Sequence, residues 1–377
     1  MKKSKVIHLH TDIKFLFNTE NFEGDFFDNI IIFIGEEGNR ELLDKNLFFI
    51  EKAVNKIPEI LRLCQSAELV VLYDLDSFKQ QLVLKFPDTV KIAWRFFGYE
   101  LYAKRPDLFK SELSRKHDLL SFKKRNRRKL SFLFKYMRSG NNYSQRYNRV
   151  LNRIDYFLAL SNEEYQLLKQ YWINLPTFVK LPHFHYDKKL VEIDFQKKEM
   201  ENPLIIVGNN RSSYNNHLDI IDLIEKYENR QNYNFTLFFN YGAVGKYAKK
   251  VMERTRNNNH YTLITNFLDK QNFVNTYQKA TGLVINGYRQ MAGANIYMAL
   301  KHGVNVYLNN KNVHKQFLEN QGFKIFSIED FETDLKNNNL GLDKEMALKN
   351  MENFKRFSEA YTKEDFQRQL SQLLKAH

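Results

Sequence analysis

At 377 residues with 43% hydrophobic side chains, the chain is long enough for two domains of ordinary size and too apolar to stay disordered. A single cysteine, Cys64, rules out an internal disulfide frame and a cysteine-ligated metal cluster. No apolar run reaches the ~20 residues that a membrane-spanning helix needs, and the formal net charge of +14 asks for an acidic partner: lipid, phosphorylated ligand or nucleic acid.

The first residues, Met-Lys-Lys-Ser-Lys, have the charge of a signal-peptide opening. His8, His10, Asp12 and Lys14 then interrupt the apolar run such a peptide requires, so Lys5 to Leu9 is expected to be a strand. Further short apolar runs at Asn29 to Ile34, Glu68 to Tyr73, Val90 to Phe97 and Ile154 to Leu160 predict strands. Helical spacing predicts helices over Glu51 to Ser66, Ser77 to Lys85, Asp107 to Leu119 and Asn162 to Trp172, the last opened by Ser161 with Glu164 three positions on. Strands alternating with helices imply a mostly parallel sheet covered on both faces.

A basic insertion, placed at 115–142, breaks this alternation. Its centre, Lys123, Lys124, Arg125, Arg127, Arg128 and Lys129, is flanked by Phe122, Leu130, Phe132, Leu133 and Phe134. Cations beside apolar side chains suit the headgroup layer of an anionic membrane, at about 1 kcal/mol per Lys or Arg. A solvated helix face explains the same residues equally well, and nucleic acid is not expected as a partner because no binding motif accompanies the cluster. From His183 to Asn202 periodicity fades into a polar linker, and His183-Phe-His185 within it reads as packing.

The pattern then restarts. Strands are expected at Leu204 to Gly208, Tyr233 to Phe239, Tyr261 to Thr265, Gly282 to Asn286 and Val304 to Leu308. Helices are expected at Asn216 to Tyr227, Gly245 to Arg256, Lys270 to Ala280, Ala294 to His302 and His314 to Gln321. Leu342 to Lys375 reads as amphipathic helix throughout. The expected organisation is an N-terminal Rossmann-like domain over 1–185, a C-terminal Rossmann-like domain over 203–345, and a terminal helix over 346–377 that returns to the first domain.

Two turns of the second half carry phosphate-binding character. The segment Pro203-Leu-Ile-Ile-Val-Gly-Asn-Asn-Arg-Ser-Ser-Tyr-Asn-Asn-His217 is a strand that stops at a glycine and opens a donor-rich turn into a helix, where backbone N–H groups meet negative charge. Gly208, Asn209, Ser212 and His217 are its candidate contacts. In the second turn Arg289 precedes Gly293, Ala294 and Asn295 at a helix start, giving a guanidinium and free amides for a diphosphate. In the first half, Asp12 and Glu100 each follow a strand and are the candidate general bases. Each is equally explained by a helix terminus. A third acidic feature, Asp74-Leu75-Asp76, matches the Asp-x-Asp of metal-dependent GT-A transferases, an alternative reading in which Asp76 is otherwise a helix N-cap.

The element Gly293-Ala-Asn-Ile-Tyr-Met-Ala-Leu-Lys-His-Gly303-Val-Asn-Val-Tyr resembles the helix-glycine-strand unit of GT-B donor domains, with Asn305 where that unit usually has proline and without its frequent acidic residue. Val207-Gly208-Asn209-Asn210 with Asn216-His217, Trp94-Arg-Phe-Phe-Gly98-Tyr-Glu100-Leu-Tyr102, Ile7-His8 with Thr11-Asp12-Ile13, and Gly287-Tyr-Arg289-Gln290 resemble motifs of the TDP-N-acetylfucosamine:lipid II N-acetylfucosaminyltransferase family, glycosyltransferase family 56. The similarity covers most of the chain outside Arg115 to Asn142. It implies two doubly wound α/β domains facing a cleft, with the C-terminal helix crossing back, and an inverting enzyme without metal or other cofactor. The implied donor is a TDP-sugar, with a UDP-sugar as the alternative. The implied acceptor is an undecaprenyl-diphosphate-linked saccharide, reached as a peripheral protein on the cytoplasmic face of the bacterial inner membrane. The competing readings are a GT-B nucleotide-sugar epimerase and a non-enzymatic basic membrane- or nucleic-acid-binding module.

Overall fold

A computed structural model describes residues 3–43, 47–102, 104–117, 142–183 and 203–376. Lys123 to Lys129, most of the basic insertion and most of the polar linker lie outside the described residues. The described chain forms two compact units. One takes 3–101, 142–183 and 361–376; the other takes 102–117 and 203–360.

The first unit is built on seven parallel strands: β1 (Ser4–His10), β2 (Phe27–Gly35), β3 (Phe48–Glu51), β4 (Leu69–Tyr73), β5 (Lys91–Arg95), β6 (Tyr156–Ala159) and β7 (Thr177–Lys180). Their spatial order is β3-β2-β1-β4-β5-β6-β7, so the direction of winding reverses between β1 and β4. All five residues of β4 are buried, as a parallel sheet with both faces covered demands. The expected helix over Glu51 to Ser66 is instead the end of β3, a 3-10 turn and a helix over Ile57–Cys64. Pro58 explains the late start, because a proline without N–H is tolerated only in the first turn.

The last helix, Lys363–Lys375, belongs to this unit. Phe366 and Leu370 join its core, and Gln367 Nε2 donates to the carbonyls of Asn21 and Glu23 at 2.9 Å each. The tail is not one continuous helix. Lys344–Glu359 ends before it, and Thr362 caps the next helix reciprocally with Asp365, which stops one run and starts another.

The second unit has six parallel strands: β8 (Leu204–Val207), β9 (Asn234–Phe238), β10 (Tyr261–Ile264), β11 (Ala280–Ile285), β12 (Asn305–Leu308) and β13 (Phe326–Ser327). Their order is β10-β9-β8-β11-β12-β13, with the reversal between β8 and β11. Two apolar clusters cover its faces. The five expected strands and the five helices that follow them in turn all appear, their ends within two residues of the sequence reading. The chain is therefore two doubly wound parallel-sheet units of Rossmann type, as expected. The stretch 102–117, which follows β5 in sequence, packs in this second unit, with Leu113 against its core.

Candidate functional site

In open parallel sheets, ligands sit beyond the carboxyl ends of the strands where winding reverses. In the second unit that point lies past β8 and β11. Gly208 closes β8 with φ +71° and donates its N–H to Val284 O at 2.9 Å. A side chain there has no room: a Cβ would stand 2.4 Å from His217 Nε2.

Asparagines hold the turn that follows. Asn215 Nδ2 donates to Asn210 O at 3.0 Å, and its Oδ1 accepts from Asn209 N at 3.3 Å. Asn210 Oδ1 accepts from Ser212 N at 2.8 Å, while Asn210 Nδ2 donates to Tyr241 OH at 3.0 Å. Asn216, left-handed at φ +52°, donates from Nδ2 to Asn286 O at 2.7 Å and so ties this turn to the one after β11. The second turn is equally close-packed, since a Cβ at Gly287 would stand 2.2 Å from Met291 Sδ.

Arg289, half-buried, extends from that second turn. Its Cζ lies 5.1 Å from the Tyr214 ring centre and 5.8 Å from that of Phe109. Ala292, at φ +58°, then starts the Gly293–Lys301 helix with no side-chain cap, leaving the first-turn amides of Gly293, Ala294 and Asn295 for another acceptor. Asn295 Nδ2 is already spent on Tyr277 OH at 2.7 Å.

His217, expected among the donor contacts, lies beneath the Gly208 turn. It is wholly buried, with Phe239 at 5.5 Å edge-on and Tyr247 OH 3.4 Å from Nδ1, and burial pulls its pKa down to about 3. A neutral, enclosed imidazole packs against that turn, its Nε2 toward the glycine.

In the first unit the reversal lies past β1 and β4. Asp74 takes the left-handed φ of +73°, held by Lys79, whose wholly buried ammonium donates to Tyr73 O, to Asp74 Oδ1 at 2.8 Å and to Thr11 Oγ1 at 2.8 Å. Thr11 Oγ1 in turn donates to Asp74 Oδ2 at 2.9 Å. Asp76 caps the Ser77–Val83 helix through Phe78 N and Lys79 N and pairs with Lys52 at 2.6 Å. Both carboxylates of the Asp-x-Asp are thus committed to internal cations and amides. Among the described residues no group of three His, Cys, Asp or Glu side chains is arranged to hold a metal ion.

The two candidate bases differ sharply. Asp12 caps the Ile13–Phe22 turn and pairs with Lys14 at 2.8 Å, partly exposed. Glu100 lies beyond β5, with Oε1 3.4 Å from the Trp94 indole nitrogen and Oε2 shut off from solvent without a well-formed hydrogen bond. Burial raises its pKa, reinforced by the Asp74 charge and only partly offset by nearby backbone amides and the indole. His8 is a satisfied core histidine, bonded to Tyr73 OH and Asn29 Oδ1. His10, stacked on Tyr73 at 3.8 Å, is equally enclosed, and burial takes its pKa to about 2.

Sequence reasoning passed over Lys79, Tyr214, Tyr241, Phe109 and Ser111. Only the asparagine-rich turn itself carried a signal, since Asn is the residue that both tolerates left-handed backbone and bonds neighbouring amides.

No protein-family model matches the sequence, and no curated protein matches it. Solved structures do resemble the fold. A glycosyltransferase from Rickettsia africae superposes with a TM-score of 0.67 at 14% identity, over 100% of this chain and 99% of that one. Sucrose-phosphate synthase from Thermosynechococcus elongatus gives 0.65 at 9% identity, over 99% of each chain. Anabaena HepE, in complex with UDP and glucose, gives 0.61 at 10% identity, over 99% of this chain and all of that one. At 14% identity or less, these likenesses show a shared fold.

Proposed function

We propose that the protein is a glycosyltransferase that moves a sugar from a nucleoside diphosphate donor held by the second unit. The observation that carries this reading is the pair of turns past β8 and β11, joined through Asn216 and Asn286, which brings the Gly208 turn, the Arg289 guanidinium and uncapped helix amides to the one place in the sheet suited to a ligand. Cleaving a sugar–phosphate bond builds charge on the departing diphosphate, and fixed donors of this kind stabilise it. HepE, of similar fold, is described in complex with UDP and with UDP-glucose, which supports a nucleotide sugar as donor.

In the finer reading the enzyme inverts, transferring a 4-acetamido-4,6-dideoxygalactose-like sugar from TDP to an undecaprenyl-diphosphate-linked saccharide on the cytoplasmic membrane face. Glu100 is the general base: a carboxyl with one oxygen unsatisfied and a raised pKa is better matched to an acceptor hydroxyl than Asp12, whose carboxylate is occupied by Lys14. The motif resemblance supports the thymidine base and the lipid acceptor.

The test is to incubate the protein with membranes and radiolabelled TDP- or UDP-sugar. Label should pass into organic-extractable lipid. Label that stays aqueous, together with no calorimetric binding of TDP or UDP, would refute the proposal.

A further inference from the structure

We infer that the segment Pro106–His117, which in sequence follows the first sheet, is part of the donor site, and that its Phe109 is a positioning residue for the Arg289 guanidinium. The inference rests on the nucleotide-sugar reading and deepens it.

Phe109 and Tyr214 lie 5.5 Å apart at 31°, and Arg289 Cζ stands within 6 Å of both ring centres. Arg289 and Phe109 are each half-buried as residues, and Phe109 belongs to neither apolar core cluster of this unit. An arginine on a long flexible stem must be ordered before it can form the planar two-bond contact that a phosphate accepts, and stacking on an aromatic face supplies that order without using an N–H donor.

The segment is fastened where it would have this effect. Ser111 N donates to Asn216 Oδ1 at 2.9 Å, and Ser111 Oγ donates to Asp219 Oδ2 at 2.7 Å. Leu113 packs on the apolar core behind. Asn216 therefore receives the segment with its oxygen and holds the base of the Arg289 turn with its nitrogen. Ser111 Oγ also accepts from Ser114 N at 3.0 Å, which starts the Glu112–His117 helix there and keeps Phe109 outside it.

The experiment is calorimetry of the full chain with UDP and TDP, for wild type, Phe109→Leu, Phe109→Tyr, Arg289→Ala and the Phe109→Leu/Arg289→Ala pair. Phe109→Leu should bind about five- to tenfold more weakly, Phe109→Tyr within about twofold of wild type, and the pair no more weakly than Arg289→Ala alone. Wild-type affinity in Phe109→Leu, or an equal loss from Phe109→Leu when Arg289 is already alanine, would overturn the inference and leave the nucleotide reading standing. A wild-type chain that binds neither nucleotide would overturn the reading and the inference together. Should the leucine variant fail to fold, Phe109→Met gives the same comparison with an unbranched side chain.

Discussion

Gly208→Ala perturbs the proposed donor turn at its tightest point. Two costs add. A residue with a Cβ at φ +71° carries about 1–2 kcal/mol of backbone strain, and the new methyl would stand 2.4 Å from His217 Nε2, roughly 1 Å inside ordinary contact. His217 cannot swing away freely, because Phe239 and Tyr247 enclose it. Displacing a packed side chain by that much costs about 1–3 kcal/mol. Urea unfolding should therefore show Gly208→Ala destabilised by about 2–5 kcal/mol, with nucleotide affinity falling as the turn shifts. In a His217→Ala background the collision is gone, and the same substitution should cost only the backbone part, about 1–2 kcal/mol. An equal cost in both backgrounds would show that His217 does not support the turn. Unchanged stability in Gly208→Ala would sink the geometric reasoning altogether.

Glu100→Gln should lower transfer about 10²–10⁴-fold with nucleotide affinity kept, and the acid limb of wild-type kcat/KM should lie above the ordinary glutamate value of 4.5, because the raised pKa delays formation of the carboxylate; unchanged transfer rates would return the role to Asp12. His8, His10, His217 and His314 are all buried neutral, with pKa values pulled by burial to about 4, 2, 3 and 3. The unfolded chain takes up protons below pH 6.5 while the folded one does not, so stability should fall as the pH drops through that value, by about 1.4 kcal/mol per histidine at pH 5.5. Denaturation midpoints that are flat between pH 7.5 and 5.5 would contradict this. Neutralising Lys123 to Lys129 should move the protein from the membrane to the soluble fraction without altering nucleotide binding; retention on membranes would make that cluster an ordinary solvated face.

Local pattern was sufficient for the fold. Buried parallel strands must be continuous apolar runs, and covering helices must carry an apolar stripe, so the two periods alternate in the sequence whatever the packing. Runs such as Leu69 to Tyr73 and Leu204 to Val207 fit no helical period. Less marked elements escaped. β7 is a four-residue edge strand with only one fully buried position, and the break at Thr362 depends on one serine-like hydroxyl competing with an amphipathic pattern that would allow helix throughout.

The sequence by itself determined two Rossmann-type units and the location of Gly208 and Arg289 after apolar strands, since glycine turns and strand ends are local features. Only the tertiary structure decided what surrounds them. His217 became a buried prop, Asp74 and Asp76 became partners of Lys79 and Lys52, and Phe109 came to lie beside Arg289 across 180 positions of sequence. Which polar group meets solvent and which meets another side chain depends on contacts between distant segments, and no period or spacing in the chain encodes those contacts.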